Sequence, residues 1–134
     1  MAPTAQPNPR TITGRNIAVA AAAAAAVDLV VYAAASAAGA TWEASAPSPV
    51  SPVAVVVFSV VPLVAAALVV AAIARKKPGF QRFAHWFCLA FAIVTVAAPV
   101  LAAPQFLTAA SLGLMHLVVG GAWYWLSHPG RRTA

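Results

Sequence analysis

The chain has 134 residues, of which 63% are hydrophobic and only 7% charged, with a mean hydropathy of +0.88. A soluble domain carries roughly 25% charged residues, so this composition excludes a soluble fold and points to a membrane protein. The formal charge of +6 and the pI near 10.9 do not indicate nucleic acid, because the basic residues fall in short clusters between apolar runs, as in membrane loops.

Residues 1–14, polar and containing Pro3, Pro7 and Pro9, read as a disordered cytoplasmic tail. Residues 15–127 then form a four-transmembrane-helix domain, since crossing the ~30 Å hydrocarbon core takes about 20 helical residues. The apolar runs place its helices at about 17–38, 50–74, 83–102 and 106–126, and residues 128–134 form a short basic cytoplasmic tail. The stretch 39–49, with Pro47 and Pro49, is expected to be a short external loop, and 103–105 a tight turn. A basic loop, 75–82, built around Pro78 and Gly79, joins helices two and three. Cys88, the single cysteine, has no partner in the chain, so no intrachain disulfide is available.

Arg10 and Arg15 precede helix one, Arg75, Lys76, Lys77 and Arg82 lie between helices two and three, and Arg131 and Arg132 follow helix four. All eight basic residues fall on one side when both termini are cytoplasmic. The expected fold is therefore an all-α membrane protein, a four-transmembrane-helix antiparallel bundle with both termini cytoplasmic and Glu43 facing outward. A cleavable signal peptide ending near Ala38-Gly39-Ala40 or Ala44-Ser45-Ala46 is the competing reading of the N-terminus. The first apolar run is too long for that and carries Asp28 at its centre, so it reads as a retained helix.

Each helix has one stripe ill suited to lipid. Asp28, Tyr32 and Ser36 recur at helical spacing in helix one, with Ala21 and Ala25 on the same face. Helix two offers Ser59, Pro62 and Ala66, helix three His85, Cys88, Ala92, Thr95 and Pro99, and helix four Gly113, His116, Gly120, Trp123 and Ser127. Small and weakly polar residues serve close helix contacts in membranes, so these stripes are expected to face a common axis. At 1.5 Å per residue, Asp28 and His116 lie at matching depths, about 16 and 15 Å in. An Asp28–His116 hydrogen bond or ion pair is the resulting expectation, with Tyr32 and the carbonyl freed by Pro62 completing a polar midplane layer.

That layer has two readings. One is structural, with the two side chains satisfying each other and setting helix register. The other is a proton-coupled small-molecule transporter, because a carboxylate and an imidazole at the midplane can exchange a proton. A haem or metal role for His116 is disfavoured by the distance in depth to His85, and no catalytic, cofactor or metal constellation is expected. Trp86, Trp123, Trp125 and Tyr124 read as a cytoplasmic aromatic belt and Trp42 as an outer one, with His85 and His128 solvated at the interface. Arg75, Lys76, Lys77 and Arg82 are candidate contacts for anionic lipid head groups. The expected partners are the lipid bilayer and its head groups, with room for a homo-oligomer or another membrane protein, and not nucleic acid.

The sequence Val27-Asp28-Leu29-Val30-Val31-Tyr32, mid-helix Pro62, the basic loop leading to Trp86, Pro99 and the run 108–117 around Met115-His116 resemble a family of small actinobacterial four-helix integral membrane proteins catalogued as a domain of unknown function. The resemblance covers the four helices without the tails. It implies the fold and a bacterial plasma membrane, and it transfers neither substrate nor catalytic residue. The small multidrug-type exporters are similar in having four helices and an acidic residue in the first. The one-sided charge and the lack of a second membrane carboxylate set this chain apart from them. The preferred reading is an integral membrane protein of structural or accessory role, and not an enzyme.

Overall fold

The computed structural model describes residues 12–45, 47–77 and 79–128; most of the two expected tails, 1–11 and 129–134, lies outside them. Five helices account for most of the described chain: α1 Gly14–Ala37, α2 Pro52–Ala74, α3 Phe80–Thr95, α4 Ala97–Ala102 and α5 Phe106–Ser127. There is no strand among the described residues. With α3 and α4 taken as one span, four helices are long and apolar enough to cross a membrane, which suggests a multi-pass membrane protein.

Local chemistry explains the helix ends. Thr13 caps α1, its Oγ1 accepting from the Asn16 N–H at 3.3 Å, so that the helix begins three residues before the apolar run does. It stops at Gly39, whose φ of +93° suits glycine, in a Schellman closure: the Ala40 N–H donates to Ala35 O and the Gly39 N–H to Ser36 O. Ser51 caps α2 by accepting from the Ala54 N–H, and Pro52 follows where a missing N–H costs nothing. The expected basic loop 75–82 is shorter than read, because α3 starts at Phe80 and takes Arg82 into its first turn. The expected third helix is interrupted at Val96. Pro99 has no N–H for the Thr95 carbonyl, and the Thr95 hydroxyl bonds back to Phe91 O and Ala92 O, so the chain turns before α4 resumes.

The helices pack unequally. α1 lies chiefly against α2 and α5, α3 and α4 chiefly against α5, and α2 touches α3 and α5 less. One buried apolar cluster joins Ile17, Ala20, Ala21 and Ala24 of α1 to Leu63, Ala67, Val70, Ala84, Trp123 and Leu126. A second joins Ala35, Trp42, Val55 and Met115. Small residues allow close approach: a Cβ added at Gly120 would stand 3.0 Å from the Ala92 Cβ, and one at Gly113 3.4 Å from Val96 Cγ1. The outer surface is apolar, with Phe58, Val94, Leu101 and Phe106 among its exposed side chains. An apolar exterior on this scale belongs against lipid rather than water.

Candidate functional site

Asp28 lies between the two apolar clusters and is fully buried. The helical period carries it onto the α1 face that also presents Ala21 and Ala24, directly opposite α2. There the Ser59 hydroxyl, 2.5 Å from Asp28 Oδ2, donates to the carboxyl, and the same oxygen stands 2.8 Å from Val55 O. A hydroxyl carries one hydrogen, so Asp28 Oδ2, Ser59 Oγ and Val55 O share a single one. A proton on the carboxyl would supply a second and satisfy the whole row. Asp28 Oδ1 is buried without a hydrogen-bond partner.

The other residues expected in this layer do not hydrogen-bond to Asp28. His116 makes no hydrogen bond to Asp28 but stands close enough to act on it electrostatically; its side chain is exposed, and Nδ1 sits 3.1 Å from Leu112 O one turn back. A carbonyl only accepts, so Nδ1 is the protonated nitrogen. Gly113, Gly120, Trp123 and Ser127 do face inward, but His116 between them lies outside the buried arc, because α5 turns that arc toward both α1 and α3. Pro62 is exposed, as is Phe58, whose carbonyl it frees; the buried face of α2 runs through Val55, Ser59, Leu63, Ala67 and Val70. Ala66 is only partly buried beside it.

Tyr32 belongs to one end of the molecule. Its ring stacks on Trp42, centroids 4.3 Å apart at 20°, and its hydroxyl donates to Val50 O. Trp42, expected as an interfacial belt residue, is buried, with φ +60°. Its indole N–H donates to Ser36 Oγ at 2.8 Å, its backbone N–H to Thr108 Oγ1 and its carbonyl accepts from Val50 N–H. Gln105 completes this end: Oε1 accepts from the Thr41 N–H and the Thr108 hydroxyl, and Nε2 donates to Gly39 O. Gln105 and Thr108 were not singled out from the sequence. Their only signal was position, beside the start of a helix that faces the loop between α1 and α2.

His85, expected in solvent, is buried at the opposite end. Its Nδ1 lies 2.8 Å from Ser127 Oγ, and Ser127 gives its own hydrogen to Trp123 O at 2.7 Å. Nδ1–H is therefore the donor to Ser127. Trp86, Tyr124 and His128 surround the ring at centroid distances of 5.1, 4.9 and 5.5 Å. Gln81 Nε2 donates to Ser127 O nearby. Trp123, also expected in the belt, is buried with its indole N–H unpartnered. Arg75, Lys76, Lys77 and Arg82 are exposed at this same end, following α2 and opening α3. No group of three or more metal-ligating side chains occurs among the described residues.

No curated protein and no solved structure matches the chain. A family model described as "Family of unknown function (DUF6069)" matches residues 7–133, a span that takes in all four helices and reaches into both tails. The polar side chains buried at the middle and at both ends of the helix assembly are thus set within one continuous match, and the chain belongs to this family.

Proposed function

We propose that this chain is a multi-pass protein of the cell membrane, an antiparallel four-helix bundle with both termini cytoplasmic, whose role is structural or accessory rather than enzymatic. One observation carries the reading: the polar side chains inside the spans are used to tie helices together. Asp28 and Ser59 join α1 to α2, and His85 and Ser127 join α3 to α5. Such bonds average about 0.6 kcal/mol in membranes and set register as well as stability. Arg75, Lys76, Lys77 and Arg82, on the cytoplasmic side in this orientation, would hold anionic head groups. Cysteine labelling tests the topology: Ser45→Cys should react with an impermeant thiol reagent on intact cells and Lys77→Cys should not, whereas the reverse would invert the orientation.

A second reading, a proton-coupled transporter working through Asp28 with His116 near it, is favoured by the unpartnered Asp28 Oδ1 and the single hydrogen shared along the Asp28–Ser59–Val55 row. A buried ionisable group within a membrane span commonly marks a transport path. Reconstituted protein driven by a pH gradient separates the two. Under the structural reading wild type and Asp28→Asn give the same flux as empty vesicles. A flux present in wild type and lost in folded Asp28→Asn would establish the transporter.

A further inference from the structure

Along its exposed face α3 carries a shallow, wide-open groove lined by Gly79, Arg82, Phe83, Trp86 and Phe87. Below its mouth the rings continue as a ladder. Phe83 and Phe87 stack with centroids 5.6 Å apart at 18°, and Phe87 and Phe91 follow at 6.5 Å and 15°. From Arg82 to Phe91 the helix rises about 13 Å, close to the depth of one leaflet's hydrocarbon, half of ~30 Å. The Trp86 ring is held edge-on against buried His85.

Charge decides what fits this groove. The chain has two acidic side chains against eight basic ones. Asp28 is buried on Ser59, and Glu43 lies in the loop after α1, at the Trp42 end. Neither can neutralise Arg82, and Arg75, Lys76 and Lys77 add charge of the same sign at the same end. A planar guanidinium above an aromatic ladder matches a phosphodiester above an acyl chain, with the indole at the boundary between them.

We propose that this groove is a seat for one anionic phospholipid, its phosphate on Arg82 and an acyl chain along Phe83, Phe87 and Phe91. The proposal rests on the reading of the chain as a membrane protein and assigns the anionic-lipid contact to a defined place on α3. It separates Arg82 from the other three basic residues, which act only as a diffuse field.

The test is native mass spectrometry of the full chain in detergent, offered equal amounts of phosphatidylglycerol and phosphatidylcholine with identical acyl chains. Wild type should retain phosphatidylglycerol preferentially. Arg82→Gln should cut that preference about fivefold, and Arg82→Lys, which keeps the charge but not the fork, should fall between. The combined Arg75→Gln, Lys76→Gln and Lys77→Gln variant should change it less than Arg82→Gln alone. Phe87→Ala should weaken retention of both lipids. Unchanged circular dichroism would confirm that the exposed substitutions leave the fold intact. A greater loss in the triple variant would replace the seat by diffuse attraction. Displacement of the lipid by free glycerol 3-phosphate would make the site one for soluble phosphate, and a dimer dissolved by Phe87→Ala would make the face a self-contact; each overturns the proposal. Co-flotation with liposomes separates the levels: a chain that floats without lipid preference loses only the seat, and one that does not float loses the membrane reading as well.

Discussion

The two ends of the helix assembly solve different problems. At the Trp42 end the chain leaves helical geometry for the loop between α1 and α2, and that loop's backbone groups need partners that no helix supplies. Side chains provide them. Gln105 and Thr108 at the start of α5 accept from Thr41 and Trp42, while Tyr32 and Ser36 hold Val50 O and the Trp42 indole. At the His85 end the contacts run between helices, as Gln81 and His85 of α3 reach Ser127 of α5, and the basic residues are left exposed. One end is closed by its own loop. The other presents exposed basic side chains outward.

This contrast sets an order of effects. Trp42→Ala removes a buried ring, its stack on Tyr32 and the indole bond to Ser36, and should cost about 3–5 kcal/mol by thermal unfolding in detergent. A loss below about 1 kcal/mol would return Trp42 to the role of a belt residue and erase the difference between the ends.

Between the ends, Gly120→Leu should cost about 1–3 kcal/mol, because its Cβ alone would meet the Ala92 Cβ at 3.0 Å. Leu117→Ala, on the exposed side of α5, should cost less in the same assay. Equal effects would mean that α5 is turned the other way about its axis.

Ser127→Ala leaves the buried His85 Nδ1–H without its acceptor, and about 1–2 kcal/mol should be lost. A double-mutant cycle with His85→Phe sharpens this, since the pair should couple by at least about 0.5 kcal/mol. Additive losses would show that the two side chains do not meet and that the His85 end is held by apolar packing alone.

Asp28 shows how far a sequence reading of the site reaches. Its position in a long apolar run already required a partner, and Ser59 stood on the predicted face of α2, yet the expected partner was His116. Depth brought the two groups within electrostatic reach of each other, but it says nothing of azimuth, and their hydrogen bonds go elsewhere. His116 lies on the exposed side of α5, and His85, which the sequence placed in water, is the histidine that the fold buries. The α3 stripe fared better: Pro99 is buried, Cys88, Ala92 and Thr95 are partly so, and His85 follows the stripe rather than the solvated interface to which it was also assigned.

Length and hydropathy alone determined the spans, because a helix must supply enough apolar residues to cross hydrocarbon and must satisfy its own backbone. Capping residues such as Ser51 and glycine at position 39 determined where some of them begin and end. Only the tertiary structure decided which face of each helix turns inward. In water, apolar and polar sides separate and the periodicity reports the core. Against lipid, valine and leucine are equally at home inside and out, so close packing and hydrogen bonding choose the face. Ser59 of α2 then closes on Asp28 while Pro62, three residues on, looks outward, a distinction that arises only when two helices meet.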